Sequence, residues 1–204
     1  MFQKNDGMTL IELLIALAVG AILMAGLYRT LIGQHKTYTV QEQVVDTQQN
    51  VRAAIDRMTT EIRMAGYRKE VLASTGNVGG FTEVITPGNN AGNIGKNDDQ
   101  ITVIIEDKAI TYKLQWDTGD PSVPVLVRVE NGVSEVLADN IEALQIRYTL
   151  KNGTVTDSPG NPDNIRVVSV GLTARTKMGD PQLGGDGYRR RELSSVIVVR
   201  NMGV

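Results

Sequence analysis

The feature that most constrains this chain is an uninterrupted apolar run near its N-terminus. Residues 13–28 contain no charged side chain, and residues 8–28 contain a single carboxylate, that of Glu12. As a helix with a rise of about 1.5 Å per residue, residues 8–28 would extend roughly 31 Å, close to the hydrocarbon thickness of a bilayer. The run therefore predicts a membrane-compatible helix, and the remaining chain must fold beyond it.

Three kinds of N-terminal segment can be compared with this run. A secretory signal peptide needs a basic leader and a shorter apolar core, whereas this leader holds Asp6 as well as Lys4 and the helical pattern continues. An ordinary transmembrane anchor fits by length, but Glu12 is then explained only if it lies near the membrane surface. A leader that is cut just before the apolar run accounts for Gly7 and Glu12 together.

Residues 7–14, with the sequence GMTLIELL, closely resemble the class III leader of type IV prepilins and pseudopilins. The resemblance implies that prepilin peptidase cuts between Gly7 and Met8 and that the new N-terminus at Met8 is methylated. It also implies that Glu12, the fifth residue after cleavage, aids assembly, since pairing with a neighbouring subunit's N-terminal amine neutralises two buried charges. Met8 departs from the family, in which phenylalanine is more common at this position.

A second helical pattern follows the apolar run and contains no proline. Apolar residues recur at spacings of three, four and seven, which predicts a single apolar stripe, with Glu61 among the polar residues between its members. We expect one helix from about Met8 to Ala65, stopped by Gly66 and with Arg63 complementing the helix dipole in the last turn. The stripe consists of Val40, Val44, Val51, Ile55, Met58 and Ile62.

The end of this helix resembles one subgroup of these proteins more than another. Residues 63–67 read RMAGY, and an amphipathic helix with this ending is similar to the PilW group of minor pilins. The J-type pseudopilins of type II secretion share the leader and the helix but usually lack so clear an ending.

The remaining chain alternates short β-type runs with turns. Residues 74–100 read as a long connection rich in glycine, asparagine and aspartate, and hairpin turns are predicted at Glu106-Asp107 and Asn131-Gly132. The predicted fold class is α+β and type IV pilin-like, a long N-terminal helix whose C-terminal half packs on an antiparallel sheet. The strands are expected at residues 100–105, 108–114, 125–129, 133–137, 141–148, 165–174 and 193–200.

These patterns define four expected segments. Residues 1–7 are the leader, residues 8–28 are the transmembrane or filament-core helix, residues 29–66 continue it as an amphipathic helix, and residues 67–204 form a β-rich head.

No catalytic, cofactor or metal site is predicted. The chain has no cysteine, which excludes disulfides, thiolate metal sites and a cysteine nucleophile, and its single histidine, His35, is expected to be an exposed helix residue. Several acidic and amide residues could bind calcium, but their spacing does not match an EF-hand and turns favour the same residue types. They are Asn97, Asp98, Asp99, Asp117, Asp120 and Asp157.

A short basic cluster, Arg189-Arg190-Arg191, follows a glycine-rich stretch. We interpret it as a solvated strand entrance rather than a nucleic-acid site, because Trp116 and Tyr112 lie too far from it to form an obvious stacking platform.

The expected function is that of a minor pilin-like structural subunit, processed by prepilin peptidase, which primes or joins the tip of a type IV pilus. Its expected partners are other minor pilins and the major pilin, packed through the N-terminal helix, and no nucleic acid is expected. Before assembly the helix would lie in the bacterial inner membrane with the head outside the cytoplasm. The alternatives are a J-type pseudopilin of type II secretion and a membrane-anchored module that binds a surface polymer or DNA.

Overall fold

The structure, a computed structural model, describes residues 8–68, 72, 74, 76–78, 80–89, 99–116, 123–180 and 183–202. The chain divides into two compact units, Met1–Glu42 and Gln43–Val204. The predicted leader, residues 1–7, lies outside the described residues.

The predicted long helix is confirmed as α1, Leu10–Arg63. After Arg63 the chain turns, and Gly66 adopts a φ of 80°, a left-handed conformation that glycine adopts without a steric penalty. The amide of Gly66 donates to the carbonyl of Ile104 at 2.8 Å. Gly66 therefore ends the helix as predicted and joins that end to the head.

Two antiparallel sheets follow the helix, as the α+β expectation requires. The first has the order β1-β2-β3-β4-β5, and the second has the order β7-β6-β8-β9. The first sheet comprises β1 Ile85–Asn89, β2 Asp99–Ile105, β3 Lys108–Trp116, β4 Pro124–Glu130 and β5 Val133–Asp139. The second comprises β6 Ile141–Leu150, β7 Val155–Thr156, β8 Ile165–Arg175 and β9 Arg190–Val198.

Part of the predicted long connection is wrong, because β1 lies within residues 74–100. β1 pairs with β2 and forms an edge of the first sheet. Pro87 has no backbone N–H, and at an edge this does not remove a hydrogen bond between two inner strands. Ile85, at the start of β1, is completely buried. The short strand β7 was also absent from the predicted strands.

Both predicted hairpin turns are present. Asn131 and Gly132 adopt φ values of 51° and 80°, as a two-residue type I′ turn between β4 and β5 requires. Glu106, between β2 and β3, has a φ of 59°.

One hydrophobic core joins the C-terminal part of α1 to both sheets. The predicted stripe is buried from Val51 to Ile62, whereas Val44 is only half-buried. Asp99 of β2 accepts a hydrogen bond from the amide of Ile146 in β6 at 2.7 Å, so the two sheets are also connected by a polar contact.

Candidate functional site

The first turn of α1 is built around Thr9 and Glu12. The amide and the hydroxyl of Thr9 each donate to Oε2 of Glu12 at 2.9 Å, and the amide of Glu12 donates to Oγ1 of Thr9 at 3.4 Å. This reciprocal pattern is a capping box, in which two otherwise unpaired amides of the helix start are satisfied. The Thr9–Glu12 capping box therefore sets the beginning of the helix at Leu10, with Thr9 as the capping residue.

The capping box also fixes the position of the one carboxylate in the apolar run. Glu12 lies in the first turn, where the helix dipole favours negative charge, and its side chain is exposed. Met8, the predicted methylated residue, precedes the helix. Gly7, the other residue of the predicted cleavage site, lies outside the described residues, and no contact in the structure tests cleavage or methylation.

The apolar side chains on both sides of Glu12 have no covering partner within the described part of this single chain. Leu10 is 77% exposed and Ile22 is 72% exposed, and the other large apolar side chains of residues 8–28 are exposed as well. α1 is long and apolar enough, by length and composition, to cross a membrane. Such a surface requires lipid or other apolar helices around it.

A buried polar cluster connects α1 to the first sheet. Nε of Arg128 donates to both carboxylate oxygens of Glu61, at 3.2 and 3.0 Å, and the Tyr112 hydroxyl donates to Oε2. Arg57, one turn earlier on the helix, donates to Oε1 at 2.7 Å. We call Glu61, Tyr112 and Arg128 the helix–sheet cluster; all three are less than 10% exposed.

The surroundings of the helix–sheet cluster shift the pKa values of Tyr112 and of the neighbouring Glu130. Burial, reinforced by the hydrogen bond to Glu61, raises the pKa of the Tyr112 phenol far above its ordinary value, so the hydroxyl remains a donor. Hydrogen bonds from Arg128 and Lys108 lower the pKa of Glu130, which pairs with Arg128 at 2.5 Å. The cluster is therefore a buried polar contact that orients the helix on the sheet.

The sequence places Glu61 among the polar residues between members of the stripe, but the structure shows that its side chain is buried. Thr47, Ala54 and Glu61 are all buried and lie seven residues apart, along one flank of the apolar stripe. The seven-residue spacing could have indicated that Glu61 is buried. No local pattern indicates that Arg128 is its partner.

The arginine cluster is an entrance to β9, as predicted, and two of its three charges are paired. Arg190 contacts Glu142 at 2.5 and 3.0 Å and also pairs with Asp186, while Arg189 contacts Asp180 at 3.1 Å. The hydrogen bond from Arg190, together with the Tyr188 amide, lowers the pKa of Asp186 to about 2.

The histidine and the acidic residues that were considered as possible ligands have ordinary surroundings where the structure describes them. His35 is exposed on α1, as expected. Asp99 accepts the Ile146 amide, and Asp157 lies 3.4 Å from Arg147. Among the described residues, no group of three or more acidic, histidine or cysteine side chains is arranged to hold a metal ion. The remaining calcium candidates, Asn97, Asp98, Asp117 and Asp120, lie outside the described residues.

Comparison with known protein families places a match at the N-terminal end of the chain. Residues 2–28 match the family described as the prokaryotic N-terminal methylation motif. No curated protein matches the chain. The matched segment contains the predicted cleavage position, the capping box and the apolar run, and it supports a type IV pilin or pseudopilin subunit. Such a leader implies processing by prepilin peptidase and assembly with other pilins.

Proposed function

We propose that the chain is a minor pilin-like structural subunit of a type IV pilus assembly machine. The observation that carries this proposal is the methylation motif over residues 2–28, placed at the start of a helix with uncovered apolar side chains. These side chains are suited to the membrane before assembly and to a bundle of similar helices afterwards.

In this proposal, prepilin peptidase cuts between Gly7 and Met8, and Met8 is then methylated. Residues 8–28 remain in the bacterial inner membrane with the head, residues 67–204, outside the cytoplasm, until assembly moves the helix into the pilus. Residues 29–66 connect the two as an amphipathic helix. The chain primes or joins the filament tip with other minor pilins and the major pilin, as the PilW-like ending at residues 63–67 suggests.

Glu12 has two separable roles in this proposal. Its carboxylate caps the helix through Thr9, and its charge pairs with the N-terminal amine of a neighbouring subunit. In Glu12→Gln, the side-chain carbonyl can still accept the Thr9 hydrogen bonds, but the charge is absent. We expect this variant to be cut normally and to be lost from assembled filaments.

Cleavage is tested by Gly7→Leu in the native host. Mass spectrometry should show the variant uncut, whereas Asn5→Leu, which places the same side chain elsewhere in the leader, should lose residues 1–7 and gain one methyl group. Normal cleavage of Gly7→Leu would refute the leader assignment.

The pilus role is tested by deletion of the gene. We expect pili to be absent by electron microscopy while type II secretion continues. In the complemented strain, the chain without residues 1–7 should be present in small amount in sheared pili. Loss of secretion with intact pili would instead assign the chain to the secretion machine.

A further inference from the structure

The two sheets have four edge strands, and three of them are protected against further pairing. β1 contains Pro87, β7 has two residues, and β5 pairs with β4 through a register shift between Leu126 and Val127. β9 is different, because it has nine residues without proline, carries no charged residue from Leu193 to Val198 and keeps an unbroken register with β8. β9 is thus the edge on which an added strand could pair.

The hydrogen bonds at both ends of β9 show which of its backbone groups face outward. The Val199 amide donates to Arg166, and the Thr176 amide donates to Arg189. Because bonded and non-bonded pairs alternate in an antiparallel ladder, the odd-numbered residues from 191 to 199 bond to β8. The backbone groups of Glu192, Ser194, Val196 and Val198 therefore point away from β8, and no described residue pairs with them.

The side chains of these four residues also lie away from the core. Ser195 faces α1, where its Oγ lies 3.2 Å from Oγ1 of Thr59, and Ile197 is completely buried. The even-numbered residues are on the opposite face, where Val196 is 70% exposed and Val198 is 61% exposed. An added strand would therefore gain backbone hydrogen bonds and apolar contacts together.

The charge on this edge indicates the chemistry of the partner strand. Glu192 is exposed and has no ion-pair partner among the described residues, so the fitting strand carries a basic residue opposite it. Antiparallel pairing of β9 with a second β9 over most of its length would place Glu192 opposite serine, valine or another Glu192. A second copy of β9 therefore does not supply the cation.

We propose that the outer edge of β9 binds an extended strand from a different pilin-type subunit of the same filament. The strand carries aliphatic residues beside Val196 and Val198 and a basic residue beside Glu192. The identity of the partner as a pilin-type subunit rests on the proposed function, whereas the strand addition rests on the free edge of β9.

A photo-crosslinking residue at position 194, 196 or 198 of the full chain, in the native host, tests this proposal. The expected crosslinks map to every second residue of one extended segment in another subunit that carries a methylation motif. The same residue at Ser169, inside the sheet on β8, is the control and should give none of these crosslinks. Crosslinks to a second copy of this chain, to scattered positions or to no protein would overturn the proposal.

Ser194→Pro removes the outward amide without breaking a bond to β8, while Ser194→Ala keeps the amide and serves as the matched control. Loss of one backbone hydrogen bond should weaken crosslinking from position 198 about five- to tenfold in the proline variant alone. Equal crosslinking in both variants would refute strand addition. Thermal melting shows whether the proline variant folds, and Val196→Lys provides a second edge variant with the β8 ladder intact.

Failure of strand addition at β9 can be distinguished from failure of the proposed pilin function. Leader cleavage and recovery of the chain with pili depend on residues 1–28, so these can be normal while crosslinking at β9 fails.

Discussion

The helix–sheet cluster gives the sharpest test of how α1 is held on the head. Glu61→Ala would leave Arg128, which is 7% exposed, without the carboxylate that accepts both contacts from its Nε, and would remove the acceptor of the Tyr112 hydroxyl. Because Arg128 keeps its contact with Glu130 at 2.5 Å, the loss should be smaller than the loss of about 3–5 kcal/mol that is typical of a buried charge left with no partner. We expect the free energy of unfolding to fall by about 2–3 kcal/mol, as for lost hydrogen bonds to a charged group. For a chain of this size, the melting temperature should fall by about 4–12 °C.

The measurement is thermal unfolding of the full chain in detergent, followed by the fluorescence of Trp116, the single tryptophan. Arg57→Ala is the matched control, because its side chain is 53% exposed although it also contacts Glu61. That variant should cost no more than about 1 kcal/mol.

The double variant Glu61→Met/Arg128→Met separates the cost of an unpaired charge from the value of the pair. It should recover part of the stability lost in Glu61→Ala, since replacing a buried pair with apolar residues is often neutral, while the buried Tyr112 hydroxyl still lacks its acceptor. The ionic role of Glu61 would be refuted if Glu61→Ala had the same melting temperature as the wild-type chain. It would also be refuted if the double variant were the least stable of the three.

Three further predictions follow from single positions. Gly66→Ala should lower the free energy of unfolding by about 1 kcal/mol or more, measured by the same melting assay, because φ is 80° and the added Cβ would lie 3.0 Å from the Asn201 carbonyl oxygen. Gly132→Ala should cost about 1 kcal/mol through its φ of 80°, although its Cβ would meet no atom within 4 Å; a variant as stable as the wild type would contradict the type I′ turn. The Asp186 carboxyl should titrate near pH 2 by NMR and return toward its ordinary pKa in Arg190→Gln. Because folding lowers this pKa, the stabilisation from Asp186 is present above the unfolded pKa of about 4 and is lost as the pH falls toward 2.

Local patterns in the sequence were sufficient to predict much of the fold. The uncharged run and the apolar stripe predicted α1, and Gly66 marked its end, because helix period and left-handed glycine are short-range properties. Asn131-Gly132 similarly predicted a turn that requires two positive φ values.

The features that the sequence did not reveal depend on distant contacts. Pro87 and Gly88 suggest a loop, and only the edge position of β1 makes them acceptable in a strand. Glu61 and Arg128 are 67 residues apart, so neither predicts the burial of the other. Of the candidate site, the motif from Gly7 to Glu12 was visible in the sequence, but the open edge of β9 follows from the strand order alone.

The end of α1 is completed by a segment that is synthesised much later. The Arg200 amide donates to the Arg63 carbonyl at 3.3 Å, and Nδ2 of Asn201 donates to the Met64 carbonyl, 137 residues earlier in the chain. β9, immediately before these residues, also supplies the Ser195 contact with Thr59. If the head folds outside the cytoplasm, it therefore reaches its final structure only after residues 190–201 have crossed the membrane. Until then the helix is anchored while the apolar face of its C-terminal part remains uncovered, so the emerging chain requires protection from aggregation during export.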